Sequence, residues 1–151
     1  MDLDDEVLAE LDLVVCSIHS TFNLSRHKQS ERAIRAMDNP HFNIMGHPTR
    51  RLINKRDAYE IDVERFAEAA LQRGCYLELN AQPDRLDLSD VYCKMAKDVR
   101  LKVAISTDAH NKTDLQFMRF GIGQARRGWL ETNDVLNSRN WRDLKKLLKR
   151  T

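Results

Sequence analysis

The sequence LKVAISTDAH, residues 101–110, joins a short apolar run to an Asp-x-His pair. The run from Leu101 to Ile105 is typical of a short buried β-strand. Asp108 and His110 follow it two residues apart, and in extended backbone such a pair points to one side. A carboxylate and an imidazole that converge at a strand end are able to bind one cation. The pair alone is a weak signal, and similar strand ends upstream support it.

Two upstream apolar runs end in the same way, with a histidine directly after a predicted strand. The run LVVCSI, residues 13–18, precedes His19, and the run FNIMG, residues 42–46, precedes His47. The carboxyl ends of parallel strands meet at one edge of a sheet, and such folds form their sites there. We therefore expect the side chains at these strand ends to lie close together.

Helical patterns separate the apolar runs, and this alternation predicts an α/β fold with mainly parallel strands, buried on both faces. Asp62 and Ser89 are predicted helix N-caps, and Gly74 a predicted C-terminal residue. Thr113 with Gln116 predicts a capping box. Four strands are too few for a closed barrel, so we expect a sheet or an incomplete barrel. The predicted strands are 13–18, 42–46, 75–79 and 101–105, and the predicted helices include 3–11, 25–37 and a terminal helix from about Asn140 with Trp141, Leu144, Leu147 and Leu148 turned inward.

Composition and charge limit the classes to which the chain can belong. Its 151 residues, 42% hydrophobic and 32% charged, predict one domain with a real core. A net charge of +2 argues against a protein built mainly to bind polyanions. Three cysteines without paired spacing indicate a reducing compartment. The acidic N-terminus lacks the basic region of a signal peptide, and no apolar run approaches the roughly 20 residues of a membrane span, so we expect a cytoplasmic protein.

The side chains at the strand ends form a nitrogen and oxygen donor set that suits zinc, manganese or iron. Any single histidine could equally form only a hydrogen bond in a loop, but the set as a whole favours a metal site. His27 and His41 do not follow a predicted strand, so we expect structural or solvated roles for both. The candidate metal ligands are His19, His47, Asp108 and His110.

Other polar residues near the strand ends could complete a site. Glu78 either faces the site or forms a salt bridge with a neighbour, because a strand residue can point to either face. Asn80 is better positioned to hydrogen-bond a substrate or a water molecule. Arginines in loops or near helix ends could bind phosphate oxygens with two hydrogen bonds, although each could equally be solvated surface. These arginines are Arg50, Arg51, Arg85, Arg126 and Arg127.

Several short motifs, in this order, resemble the later motifs of the PHP (polymerase and histidinol phosphatase) domain. They are SIHS at 17–20, GHPT at 46–49, ELNA at 78–81 with PDRLD at 83–87, and STDAH at 106–110. Two further stretches resemble the C-terminal region of the PHP domain of bacterial and archaeal family X DNA polymerases. They are MRFGIG at 118–123 and ARRGWL at 125–130, so the resemblance covers nearly the whole chain.

The resemblance implies a distorted (βα)7 barrel with a trinuclear metal cleft at the carboxyl ends of its strands. It also implies metal-dependent phosphoester hydrolysis, which in the polymerases is 3′–5′ exonuclease and related DNA-end processing, usually with manganese. Motif by motif, His19, His47, Asp108 and His110 match metal ligands. Asn80 and Arg85 match a loop that lines the site, so we expect Asp108, His110, Asn80 and Arg85 to act in catalysis.

The chain departs from the family pattern in one large respect. The family's first motif, His-x-His, is absent. The histidine and the glutamate ligand that precede SIHS in the family are also absent, and so is the polymerase domain. We therefore expect residues 1–151 to be a partial PHP domain, the C-terminal half of the barrel. The expected partners are DNA ends or another phosphoester, and either a second copy or the missing N-terminal half at the open sheet edge. Two alternatives remain: a non-catalytic metal-bearing or structural module, and a small-molecule phosphatase of the same superfamily.

Overall fold

The fold is that of a computed structural model, which describes residues 1–148. Strands and helices alternate along the chain as the sequence pattern predicts. The strands are β1 (Val15–Cys16), β2 (Ile44–Met45), β3 (Tyr76–Asn80) and β4 (Val103–Ser106). The α-helices are α1 (Asp5–Ala9), α2 (Arg26–Ala36), α3 (Val63–Arg73), α4 (Asp90–Asp98), α5 (Met118–Arg127) and α6 (Trp141–Lys145), and two 3₁₀ helices cover Lys112–Phe117 and Thr132–Asp134.

The four strands form one sheet in the order β1-β2-β3-β4, and each neighbouring pair is parallel. Leu77 lies opposite Met45 on one side and Val103 on the other, which fixes the register of the three inner strands. The predicted α/β fold with parallel strands is confirmed. The first two strands are shorter than predicted, because only two residues of each apolar run pair with a neighbour.

The two faces of the sheet differ in how they are covered. Alternate strand residues such as Leu77 and Val103 pack with Phe66 of α3 in the main core, which also takes in residues of α2, α4 and α5. On the opposite face, Ile44 and Ala104 form a smaller cluster with residues of the C-terminal segment. Successive strand residues point to opposite faces, which explains the two clusters. The helices that connect the strands lie on the face of the main core.

The helices begin and end where local side chains predict, but two predictions about helical residues are wrong. The predicted N-caps Asp62 and Ser89 accept hydrogen bonds from backbone N–H groups three residues later, and Gly74 ends α3 with a left-handed φ of 62°. The predicted capping box at Thr113 is wrong, because the Asn111 side chain caps this helix and accepts from the Thr113 N–H. Trp141 was predicted to face inward but is 47% exposed.

The two edges of the sheet are also unequal. Along β4, the Leu136 N–H donates to the Val103 carbonyl at 2.8 Å, and the Asn137 side chain exchanges hydrogen bonds with the Ile105 backbone. Along β1, Val15 is 51% exposed, so the prediction of strands buried on both faces is wrong for this strand. A groove of about 570 Å³ borders β1. None of the helices within residues 1–148 is long and apolar enough to cross a bilayer.

Candidate functional site

The loops that follow β1 and β2 bring His19 and His47 together at the carboxyl edge of the sheet. The centroids of their rings are 5.7 Å apart and the rings are perpendicular. His19 is exposed and His47 is half-buried. The two histidines are 28 positions apart in sequence, so the parallel pairing of β1 with β2 creates this contact. It forms the centre of the candidate site.

His47 is held by its own backbone and by burial. Its N–H donates to Glu78 Oε2 at 2.5 Å, and its φ of 30° lies in the left-handed region. Nδ1 is buried and has no hydrogen-bond partner among residues 1–148. Burial, followed by the nearby Arg85 guanidinium, lowers the pKa of His47 below its usual range. The imidazole is therefore neutral near pH 7, which is the form that binds a metal.

Asp108 and His110 lie on the loop after β4, but not in the extended backbone expected from their spacing. The strand ends at Ser106, and Asp108 has a left-handed φ of 50°. Asp108 Oδ2 lies 3.5 Å from Arg85 Nε. His110 is exposed, and its Nδ1 lies 2.7 Å from the backbone oxygen of Asp108. In the described part of the chain, 1–148, no three His, Cys, Asp or Glu side chains gather closely enough to hold one metal ion.

Glu78 joins the ends of three neighbouring strands from beneath the site. It is 7% exposed and accepts hydrogen bonds from Ser106 Oγ and from the backbone N–H of His47. A third hydrogen bond, 3.3 Å long, comes from Asn80 Nδ2. Burial raises the pKa of Glu78. The sequence left two roles open for Glu78, facing the site or forming a salt bridge. In the described residues Glu78 lies next to the candidate site, and hydrogen bonds hold it there.

Asn80, a predicted site residue, is fully buried at the end of β3. Its Oδ1 accepts from the Gln82 N–H at 3.1 Å, and its amide nitrogen donates to Glu78. Gln82 in turn reaches the backbone oxygen of Asp108 at 3.4 Å. Asn80 therefore supports the loop that carries Asp108 from below, and its predicted role in catalysis stays a prediction.

Asp87 is the last residue of the PDRLD stretch, but the sequence analysis assigns it no role in this region. It is fully buried, and its Oδ2 accepts from the backbone N–H groups of Thr49 at 2.9 Å and Arg50 at 2.7 Å. Burial raises its pKa to about 6. The carboxylate ties the loop after β2 to the loop after β3. The available signal was an acidic residue between two leucines, in the stretch LDL at 86–88.

Arg51 and Arg85 strengthen the same connection between the two loops. The Arg51 guanidinium donates to the backbone oxygens of Arg85, at 2.7 Å, and of Leu86. Arg85 lies beside Asp108, while its Nη1 is buried without a hydrogen-bond partner among residues 1–148. Arg85 therefore has a donor available for a further acceptor at the site.

Two further arginine candidates and the two histidines predicted to lie outside the site occupy other elements of the fold. Arg126 and Arg127 are exposed on α5, and Arg127 pairs with Asp90 at 3.2 Å. His27 is exposed on α2, and His41 lies half-buried before β2, as expected for histidines outside a site.

Comparison with known proteins identifies homologues of two kinds. The chain is 45% identical over 150 residues to the DNA polymerase/3′-5′ exonuclease PolX of Bacillus subtilis, a match that covers 99% of the chain and 26% of PolX. It is 30% identical over 119 residues to a "probable phosphatase" of Caldanaerobacter subterraneus subsp. tengcongensis, covering 73% of the chain and 44% of that protein. A "probable phosphatase" of a Thermoanaerobacter species is 26% identical over 147 residues, covering 91% and 58%.

The chain is therefore homologous to part of PolX and to part of these phosphatases. It spans about a quarter of the length of PolX and about half that of the phosphatases. No protein-family model matches the chain.

Proposed function

We propose that the chain is the C-terminal half of a PHP-type barrel and contributes to metal-dependent phosphoester hydrolysis, as 3′–5′ exonuclease or related DNA-end processing. The observation that carries this proposal is the His19–His47 pair at the carboxyl edge of a parallel sheet, in a chain 45% identical to PolX over 150 residues. The sequential strand order supports the half-barrel, because a barrel is built from neighbouring strands with their helices on one face.

The donor types present suit a divalent metal ion such as manganese, zinc or iron, and binding one ion would require these side chains to move closer together. His47 is kept neutral, and its Nδ1 makes no hydrogen bond among residues 1–148. The ion would be held by His19, His47, Asp108 and His110, with Arg85 released from Asp108. When bound, it would supply a Lewis acid that polarises a phosphoryl oxygen and acidifies water.

The residues of the chain have separate roles in this proposal. Arg85 binds phosphate oxygens through its guanidinium, whose Nη1 has no partner among residues 1–148. Glu78 accepts the His47 N–H and fixes that loop, and Asn80 supports the Asp108 loop through Gln82. His110 would bind the ion through Nε2, because its Nδ1 lies 2.7 Å from the Asp108 carbonyl oxygen.

A second candidate is hydrolysis of a small phosphomonoester. It is favoured by the matches to proteins named as probable phosphatases, which are aligned with 73% and 91% of the chain. The two candidates share the same site chemistry and differ in the group attached to the phosphate.

The test is a pair of hydrolysis assays with manganese, one on a 5′-labelled oligonucleotide and one on p-nitrophenyl phosphate. Exonuclease function predicts shortening of the oligonucleotide that is lost with Asp108→Ala and retained with the exposed surface variant His27→Ala. Preference for p-nitrophenyl phosphate would favour the phosphatase. Metal binding without turnover of either substrate would contradict both and favour a non-catalytic module.

Self-association across the open β1 edge stays a prediction. Light scattering across a wide concentration range checks it, and a monodisperse monomer throughout would contradict it.

A further inference from the structure

Arg50 and Phe22 form a second contact between the loops that carry His19 and His47. The Arg50 guanidinium carbon lies 3.3 Å from the centroid of the Phe22 ring. Phe22 lies three positions after His19, and Arg50 lies three positions after His47. The stacked pair therefore joins the same two loops as the histidine pair. Stacking on an aromatic face fixes the plane of a guanidinium while leaving its edge N–H groups available.

The backbone of Arg50 is held from two sides in a conformation that a side-chain-bearing residue rarely adopts. Its φ is 55°. Its N–H donates to the buried Asp87 carboxylate at 2.7 Å, and its carbonyl accepts from the Arg56 guanidinium at 2.9 Å. Left-handed residues other than glycine are held in this way mainly where function requires it. The contacts direct the Arg50 side chain to a fixed position.

Within residues 1–148, the guanidinium of Arg50 has no anionic partner. It forms no hydrogen bond or ion pair there and stacks on the Phe22 ring. Burial, and then the neighbouring Arg56 and Arg85, lower its pKa. Arg85 also has an unpartnered, buried Nη1. Hydrogen bonds from the Arg50 N–H to Asp87 and from Arg51 to the Arg85 backbone oxygen join the loops that carry Arg50 and Arg85. Two guanidinium groups with unused donors on joined loops favour binding of an anion.

The acidic groups nearby have partners other than the Arg50 guanidinium. Asp87 and Glu78 are both buried and accept hydrogen bonds from backbone N–H groups. Asp108 faces Arg85 at 3.5 Å. The positive charge of Arg50 is thus left for a ligand.

We propose that Arg50 and Arg85 form one phosphate-binding site, in which Phe22 sets the plane of the Arg50 guanidinium. This inference deepens the proposed function and rests on it, since the bound group is the phosphate of the phosphoester substrate. The ligand chemistry is a phosphate anion, which either inorganic phosphate or a nucleic-acid chain can supply. Metal is not needed for this binding, so the site can be tested apart from hydrolysis.

The experiment titrates the full chain, in the presence of a chelator, with inorganic phosphate and separately with a 5′-phosphorylated dinucleotide, followed by amide chemical shifts. Arg50→Gly removes the guanidinium and relieves the left-handed backbone, so a folding defect is not expected. We expect this variant and Arg85→Gln each to weaken binding by about tenfold or more. Phe22→Leu, which keeps the charge, is expected to weaken it by about threefold.

The matched control is Arg100→Gly. Arg100 also has a left-handed φ, of 62°, but it is exposed and precedes β4 at the opposite edge of the sheet. Its replacement should leave both affinities unchanged. Tighter binding of the dinucleotide than of inorganic phosphate would assign the ligand to a nucleic-acid chain, and equal affinities would assign it to the phosphate alone.

Two results would overturn the inference: no binding of either probe to the unaltered chain, or binding to Arg50→Gly within about twofold of the unaltered chain. Failure of the proposed function would give a different result from failure of this inference. A chain that binds phosphate through Arg50 but hydrolyses neither substrate with manganese keeps this site and loses the enzymatic role.

Discussion

The helical face of the sheet and its carboxyl edge are built on different principles. On the helical face, apolar residues such as Leu77, Phe66 and Val103 are fully buried against one another. At the carboxyl edge, buried carboxylates hold loops, and buried polar atoms of His47 and Arg85 lack partners among residues 1–148. The first region is stabilised mainly by apolar packing. The second is held by hydrogen bonds and leaves polar atoms of two candidate site residues able to bind a ligand.

The two regions also differ in how many residues have a strained, left-handed backbone. Among residues 1–148, eight residues other than glycine have a left-handed φ, and six of them lie in loops that leave the carboxyl ends of strands. Such conformations concentrate at functional sites, where surrounding contacts hold them. The difference indicates that this edge is shaped for a ligand, while the helical face supplies the stability that holds it. The six are Thr21, His47, Arg50, Asn54, Leu86 and Asp108.

The largest expected effect comes from the helical face. Phe66 is fully buried in the main core, so Phe66→Ala should lower the free energy of unfolding by about 3–5 kcal/mol. Urea unfolding measures this loss. In the folded fraction, affinity for manganese and for phosphate should be unchanged, since Phe66 lies in the core and is not one of the candidate site residues. A loss of less than about 1 kcal/mol would contradict the assigned packing.

A smaller effect, dependent on pH, is expected at Asp87 on the carboxyl edge. Folding raises its pKa from 3.8 to about 6, so between these values the folded chain holds the proton more tightly than the unfolded chain. Stability attributable to Asp87 is therefore present at low pH and falls as the pH rises through this range. A pKa change of this size corresponds to about 3 kcal/mol.

Asp87→Asn keeps the side-chain shape and the acceptor for the Thr49 and Arg50 N–H groups but cannot ionise. Urea unfolding between pH 4 and pH 7 should show that the unaltered chain loses stability relative to this variant. Ionisation of Glu78 affects the stability of both proteins equally, so the difference between the two pH curves reports on Asp87 alone. Parallel curves would show that Asp87 ionises as freely in the folded chain as in the unfolded one.

The smallest effect is expected for two glycines of α5. A Cβ on Gly121 would lie 2.7 Å from Ala81 Cβ and Ile105 Cγ2, whereas one on Gly123 would meet nothing within 4 Å. Gly121→Ala should therefore destabilise the chain by about 1–3 kcal/mol. Gly123→Ala, the matched control, should stabilise it by up to about 1 kcal/mol. Thermal unfolding of both variants measures the difference, and equal melting temperatures would contradict close packing of α5 on the sheet.

The fold could be predicted well because its determinants are local. Apolar runs separated by helical patterns predict parallel strands. Asp62 and Ser89 begin helices by accepting backbone N–H groups three residues later, and Gly74 ends one. The failures have local causes as well. Asn111, a better N-cap than Thr113, competed for the same helix start, and β1 lacks a cover on one face, which no periodicity reveals.

The site was only partly predictable because its contacts span long stretches of sequence. The strand-end pattern identified His19 and His47, which the structure brings together. The bonds from Asp87 to Thr49 and Arg50 cross 38 and 37 positions, and the Phe22–Arg50 stack joins two loops. Asp108 could not be oriented from its spacing, since the extended backbone assumed for it ends at Ser106.

Metal content is the measurement that tests the central claim most directly. Protein purified without chelator, supplied with manganese, zinc and iron, and analysed by inductively coupled plasma mass spectrometry should retain about one metal ion per chain. His47→Ala should lose it, and the exposed control His27→Ala should keep it. Equal metal content in the unaltered chain and His47→Ala, or none in either, would contradict a metal-dependent site at the carboxyl edge of this sheet.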